Sequence, residues 1–428
     1  MMQGFYALLM RCLQPWLRRK LHRRALQEPL YGERIEQRFG RYDTPPQAMA
    51  LWIHAVSLGE TRAAGIMLTE LRRMRPDLRV LLTHGTATGL AQGRALMLPG
   101  DAQAWLPWDT PESVAGFLDH FQPRLGLLME TEVWPQLVKA CQTRGIPLVL
   151  ANARLSEKSL RKALRLGIWA RPAYQALTAV WPQTEADAQR FAALGVRNQR
   201  ILGNLKYDVR PDPDQVARGQ ALRQRLARPV LLLASSREGE EAAWIDAWPQ
   251  EASALPWVVP RHPQRFEAVI ELLQGRGWQV LRASQLSWTD SDLQRCQQDR
   301  VVVVGDTLGE MAFYYGLAQV ALLGGSFEPH GGQNLIEALA CACPVVLGPH
   351  TFNFEQASTE AVECGAALRV VSLEQGVPMG LAVCREPARH EQMSARGLGL
   401  LAQHRGVAQV MAKAVLQALD QELTSAKR

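Results

Sequence analysis

Leu51-Trp52-Ile53-His54-Ala55-Val56-Ser57-Leu58-Gly59-Glu60 reads as a short apolar strand that breaks at Ser57 to Gly59 and enters a helix. That is the opening of a βαβ unit. Working outward, similar runs recur at Val80 to Thr83, Leu125 to Met129 and Pro147 to Ala151, each followed by an amphipathic stretch. Strands of this length alternating with helices predict a mostly parallel sheet. The turn-rich Pro211-Asp212-Pro213-Asp214 interrupts the pattern, which restarts at Pro229-Val230-Leu231-Leu232-Leu233-Ala234 and continues at Trp257 to Val259, Val301 to Val304, Val320 to Leu323 and Val345 to Leu347. The 428 residues exceed what one hydrophobic core usually holds. The fold class expected is therefore α/β, with two Rossmann-like, doubly wound lobes over 43–208 and 209–428, preceded by a segment at 1–42.

The net charge is +7, and residues 1–41 hold nine Arg or Lys against Glu28, Glu33 and Glu36. So concentrated an excess argues against a broad nucleic-acid-binding face and for a local anionic partner such as a lipid surface. Phe5 to Met10 begins an apolar stretch that passes Cys12, Leu13 and Trp16 before the basic run Arg18-Arg19-Lys20 and Arg23-Arg24. The order is the reverse of a secretory signal, and Arg11 and Pro15 interrupt a stretch shorter than the about 20 residues a membrane span takes. An interfacial helix is expected, with a basic helix packed on the protein body as the alternative. The seven cysteines form no C-x-x-C pair and read as reduced, small buried hydrophobes. No zinc, EF-hand or cysteine cluster pattern is present, so no metal site and no cofactor are expected.

In doubly wound sheets ligands lie beyond the carboxyl ends of the strands. Glu60 stands there, after the first strand, either as a general base or as a first-turn carboxylate complementing the helix dipole; in both cases it is expected to be ionised. Glu130 and Glu132 flank Thr131 at another strand-to-helix junction, and capping accounts for one carboxylate more easily than for two. Lys206, in Gly203-Asn204-Leu205-Lys206, is a candidate phosphate or carboxylate contact or a plain surface lysine. In the second lobe, Arg261 and His262 follow a strand where an anion would lie. Gly305-Asp306-Thr307-Leu308-Gly309-Glu310 follows another. The glycine-rich run from Gly324-Gly325-Ser326 through His330-Gly331-Gly332-Gln333-Asn334-Leu335-Ile336-Glu337 offers amides for a phosphate and Glu337 for ribose hydroxyls. It is neither a Walker loop nor a G-x-G-x-x-G fingerprint.

Taken in order, these segments resemble the 3-deoxy-D-manno-octulosonic acid (Kdo) transferases of lipopolysaccharide assembly. The likeness runs through Tyr31-Gly32-Glu33-Arg34, Arg38-Phe39-Gly40, His54-Ala55-Val56-Ser57 with Gly59-Glu60, Met129-Glu130-Thr131-Glu132, Asn152-Ala153-Arg154-Leu155-Ser156, Gly203-Asn204-Leu205-Lys206, Arg261-His262-Pro263, Gly305-Asp306-Thr307, Gly324-Gly325-Ser326 and Gly348-Pro349-His350-Thr351-Phe352-Asn353-Phe354. The resemblance implies a GT-B fold with a cleft between the lobes. It implies an inverting, metal-independent transfer of Kdo from CMP-Kdo to a lipid A precursor, on the cytoplasmic side of the inner membrane with its anionic surface as partner. By the same resemblance Glu60 is the base and Glu130 and Lys206 stabilise the transition state. Arg261, His262, Leu308, Gly309, Glu310, Asn334, Leu335, Ile336 and Glu337 match segments that bind CMP. The chain departs from the family at Gln333 and Leu335, where His and Pro are common, and at Arg237, where His is common. Rival readings are a UDP-sugar transferase, disfavoured because Glu328 and Glu337 are not seven residues apart, and an inactive lipid- or nucleotide-binding scaffold.

Overall fold

The computed structural model describes residues 2–250 and 252–425, with side chains from Met10 to Gln421 apart from Trp169 and Glu251. The chain divides into two compact units, Met1–Asp208 with Gly406–Arg428, and Val209–Arg405.

The first unit holds six strands: β1 (Leu51–His54), β2 (Val80–His84), β3 (Ala102–Trp105), β4 (Leu125–Met129), β5 (Leu148–Ala153) and β6 (Ala179–Pro182). They are all parallel, in the order β3-β2-β1-β4-β5-β6. Because helices cover both faces, the central strands are buried at every position, and their sequences are continuous apolar runs. The edge strand β3 is half-covered and the run Ala102-Gln103-Ala104-Trp105 is only partly apolar, which is why sequence patterning passes over it. On one face the helix Leu58–Met74 packs Met67, Leu68 and Leu71 against the sheet. On the other, Trp52, Phe117, Phe121, Leu137 and Phe191 form the core.

The expected second-lobe range of 209–428 needs correcting at its end. The final helix, Val407–Ser425, belongs to the first unit. Val407, Ala408, Met411, Ala412, Val415 and Leu419 recur at helical spacing and complete the core beside the helix Leu58–Met74. Asp208 pins the return, accepting from the backbone N–H of Gly406 (2.7 Å) and Ala408 (2.6 Å). An apolar stripe in sequence announces an amphipathic helix but not which sheet it covers.

The second unit contains β7 (Val230–Ser236), β8 (Leu255–Pro260), β9 (Gln279–Arg282), β10 (Val301–Val304), β11 (Val320–Leu323), β12 (Val345–Leu347) and β13 (Ala367–Arg369). These too are all parallel, in the order β13-β12-β11-β7-β8-β10-β9.

At the N-terminus the helix Met2–Gln27 is seated on the first unit by Leu17 and Leu21, which are buried. Arg18 forks onto Glu36 (2.5 and 2.9 Å) and lies over the Phe39 ring. Packing on the body thus accounts for one side of the helix, while Leu13 and Trp16 on another remain exposed. The expected interfacial side chains Phe5 to Leu9 lie outside the described residues. Among the described residues no helix is long and apolar enough to cross a membrane.

Candidate active site

In the first unit the chain builds β1 to β3 to one side of β1 and β4 to β6 to the other, so the strand order reverses between β1 and β4. At such a switch point the two following loops diverge and leave a crevice beyond the carboxyl ends. Glu60 follows β1 and Glu130 follows β4.

Glu60 is held by its own helix terminus. Ser57 caps the helix Leu58–Met74, and its hydroxyl donates to Glu60 Oε1 (3.0 Å) while the Val56 N–H donates to Oε2 (2.9 Å). The dipole-complementing reading of Glu60 is therefore correct as geometry. It does not leave the carboxyl ordinary: burial, and after it the charges of Glu130 and Glu132, raise its pKa to about 7 against those two hydrogen bonds. Glu60, expected to be ionised, is instead balanced between its two protonation states near neutral pH, because burial and two neighbouring carboxylates outweigh its two hydrogen bonds. A carboxyl poised near neutrality is well matched to proton transfer.

Glu130 is buried, in the left-handed region at φ +57°. Lys206 Nζ lies 2.9 Å from its Oε1 and Arg154 Nε 2.7 Å from its Oε2. Burial alone pushes the Glu130 carboxyl up, but the two cations and their hydrogen bonds hold it below the usual carboxylate range. Glu132, which accepts from Trp134 Nε1 at 2.9 Å, is raised chiefly by burial. Three nearby glutamates thus fall into two classes, one ionised beside cations and two biased toward protonation, a separation typical of acid–base sites.

The structure pairs Lys206 with Glu130, whose charge acts on Glu60, and adds two residues to which the sequence gave no role. Arg154 is the second cation on Glu130. Asn152, buried at φ +51°, accepts from the Leu205 N–H through Oδ1 (3.0 Å) and so fixes the turn Leu205–Asp208 that carries Lys206. The signal available was the run Asn152-Ala153-Arg154 directly after a strand. His54 and His84, by contrast, are buried core histidines: burial first drives their pKa values down to about 3 and about 4.

In the second unit the order reverses between β7 and β11. The loop after β11 is the glycine-rich run, and the amides at its start are taken within the protein rather than left for a phosphate. Glu240, buried after β7, accepts from the N–H of Arg237 (2.8 Å), Gly325 (2.8 Å) and Phe327 (3.1 Å), while the Gly324 N–H bonds Ala234 O. A buried carboxylate, missed in sequence because it sits outside the loop it organises, takes the donors. Gly325 needs its positive φ (+69°) for this turn, and at Gly324 a Cβ would strike the Ser235 carbonyl. The remaining candidates are spread over three loops of this unit. Arg261 Nε donates to Gln333 Oε1 (3.1 Å), joining two of those loops, and His262, beside it, is held below its ordinary pKa by burial and then by Arg237 and Arg261. Leu308 is exposed, the Gly309 carbonyl accepts from Gln215, and Glu310 pairs with Arg218 (3.3 Å). Asn334 caps the short helix Leu335–Ala340, accepting from the Ile336 N–H (3.1 Å), with Leu335 and Ile336 buried and Glu337 in its first turn.

A family model described as 3-deoxy-D-manno-octulosonic-acid transferase (kdotransferase) matches residues 33–209. A 3-deoxy-D-manno-octulosonic acid transferase of Bordetella pertussis is 42% identical, covering 94% of this chain and 96% of its own. This chain belongs to the Kdo transferase family. A Haemophilus influenzae member is 31% identical over 96% of this chain and 97% of its own. Among solved structures, a Neisseria meningitidis UDP-GlcNAc 2-epimerase superposes with a TM-score of 0.57 at 13% identity, covering 87% of this chain and all of that one. A Rickettsia africae glycosyltransferase gives 0.55 at 11%, covering 89% and 99%. These likenesses carry the fold, two parallel-sheet lobes of GT-B type. In this Kdo transferase Gln333 is one of the residues that hold Arg261. Arg237 turns its side chain to Glu238 (3.1 Å).

Proposed function

We propose that this Kdo transferase moves Kdo from CMP-Kdo onto a lipid A precursor, with inversion and with Glu60 as the general base. The reading is supported most by one observation: Glu60 is raised to about 7 by burial and by an adjacent carboxylate that is itself kept ionised by Lys206 and Arg154. The sugar hydroxyl of the acceptor attacks the anomeric carbon of Kdo from the face opposite CMP. Its proton passes to Glu60, and the bond from the anomeric carbon to the phosphate oxygen breaks with its electron pair leaving on CMP. Inversion follows from opposite-face attack.

Positive charge gathers on the Kdo ring as that bond breaks, and the ionised Glu130 favours it. Lys206 and Arg154 exceed Glu130 by one positive charge, which suits them to the Kdo carboxylate. In the second unit Arg261 and His262 are assigned to the phosphate of CMP, and Leu308, Gly309, Glu310 and the Asn334 to Glu337 helix start to its nucleoside. The chain would act at the cytoplasmic face of the inner membrane, held there by its basic N-terminal helix.

The test is mass spectrometry of a tetraacylated lipid A precursor after incubation with the full chain and a CMP-Kdo-generating system, beside Glu60→Gln. A gain of one or more Kdo units that the variant abolishes supports the reading. A folded wild-type protein that adds no mass overturns the acceptor and donor assignment, and a gain that survives Glu60→Gln overturns the base.

A further inference from the structure

The first unit carries a second basic and apolar surface, far in sequence from the N-terminal helix. The helix Glu157–Arg165 runs through Leu166 into the helix Gly167–Gln175. Ala163 and Ala173 are buried against the unit, whereas Leu164, Leu166 and Ile168 are exposed, Ile168 at 69%. Lys158, Arg161, Lys162 and Arg165 are exposed around them with Glu157 as the one acidic neighbour in the first helix. None of these four cations takes part in an ion pair among the described residues. Arg171 on the second helix is exposed as well and donates to the Ala193 carbonyl (3.1 Å). Soluble surfaces scatter single apolar side chains, but three in five positions ringed by unpaired cations match an anionic interface, where apolar groups enter the headgroup region and cations meet lipid phosphates.

Position strengthens the case. Ser156 caps the first helix, its hydroxyl accepting from the Ser159 N–H (3.2 Å). Two residues earlier, Arg154 grips Glu130. The surface therefore starts at the carboxyl edge of the sheet, directly beside the carboxylate pair.

We infer that the helix pair 157–175 is a membrane-contact element, laying Leu164, Leu166 and Ile168 among the headgroups of an anionic bilayer with Lys158, Arg161, Lys162 and Arg165 on its phosphates. It deepens the reading of a lipid acceptor given above. Contact here brings the bilayer surface to the edge of the sheet where Glu60 and Glu130 stand, and complements the N-terminal helix with a second, separate attachment.

The experiment is flotation of the full chain with vesicles of phosphatidylcholine containing phosphatidylglycerol, against vesicles of phosphatidylcholine alone. Leu164→Glu/Ile168→Glu is expected to weaken binding to the anionic vesicles about tenfold, with an unaltered melting temperature because both side chains are exposed. Hydrogen exchange over 157–175 of the wild type is expected to slow on adding those vesicles, a readout that needs no variant. Binding equal to wild type in the double variant, or unaltered exchange over 157–175, overturns the inference; so does a wild-type dimer that the double variant dissolves without loss of vesicle binding. Kdo transfer to a detergent-dispersed acceptor is followed in parallel. Since neither substituted side chain belongs to the Glu60 and Glu130 cluster, absence of transfer in wild type and variant alike sinks the functional reading and leaves the membrane result standing.

Discussion

Glu130 and Glu240 are both buried carboxylates placed just after the strands where the order of each sheet reverses, yet they are neutralised in opposite ways. Glu130 is met by two cations, Lys206 and Arg154, and its pKa is held low. Glu240 is met by three backbone amides, and burial keeps its pKa raised in spite of them. Amides fix a loop without adding charge; cations keep a full negative charge alive in a buried place, where it acts on neighbours. One switch point is built as a charged site and the other as a shaped loop, and Glu60 is the neighbour that feels the difference.

Substitutions sharpen or break that contrast, with the largest effect expected at Glu60. Glu60→Gln should lower kcat about 1,000-fold, as removal of a general base does, without unfolding the protein; a loss under tenfold would make Glu60 a cap alone. Glu130→Gln comes next. It leaves Lys206 and Arg154 facing a neutral group, and breaking a buried ion pair costs about 3 kcal/mol. It also removes a charge that raises Glu60, so the acid limb of kcat/KM should move to lower pH; denaturant melts and a pH profile of the same variant check both statements. Glu240→Gln keeps the shape and one carbonyl acceptor, and should cost about 1–2 kcal/mol with a raised KM for CMP-Kdo and little change in kcat. Were its pH profile to shift as that of Glu130→Gln does, the contrast would fail.

The smallest expected effect concerns stability. Because the folded-state pKa of Glu60 is raised, its protonated form is favoured by folding, and the cost of ionising it in place appears as pH rises from the ordinary carboxylate range through about 7. Glu60→Gln, which cannot ionise, should therefore gain stability relative to wild type as pH rises from 5 to 8. Equal differences at both values would mean that the Glu60 carboxyl is not perturbed.

Much of this contrast was legible in the sequence. Continuous apolar runs such as Leu51 to His54 and Val301 to Val304 mark central parallel strands because both faces are covered, and acids directly after them mark the carboxyl edge. Edge strands such as Ala102–Trp105 lack that signature since one side is partly open. Pairwise facts were not legible: that Asn152 holds the Lys206 turn, that Glu240 takes amides at the start of the glycine-rich loop, and that the last helix returns to the first sheet. Each depends on residues brought together over 50 or more positions of sequence, which local spacing does not encode. The sign of the Glu60 shift was missed for the same reason, since a helix dipole is read locally whereas burial and the charge of Glu130 come from elsewhere in the fold.

The central claim is that an ionised, cation-held Glu130 tunes Glu60 as the base for Kdo transfer, and the pH dependence of kcat/KM tests it most directly. Wild type should lose activity on the acid side with an apparent pKa near 7, and Glu130→Gln should shift that limb downward. A wild-type profile flat from pH 5 to 8, or a limb that Glu130→Gln leaves in place, would contradict it.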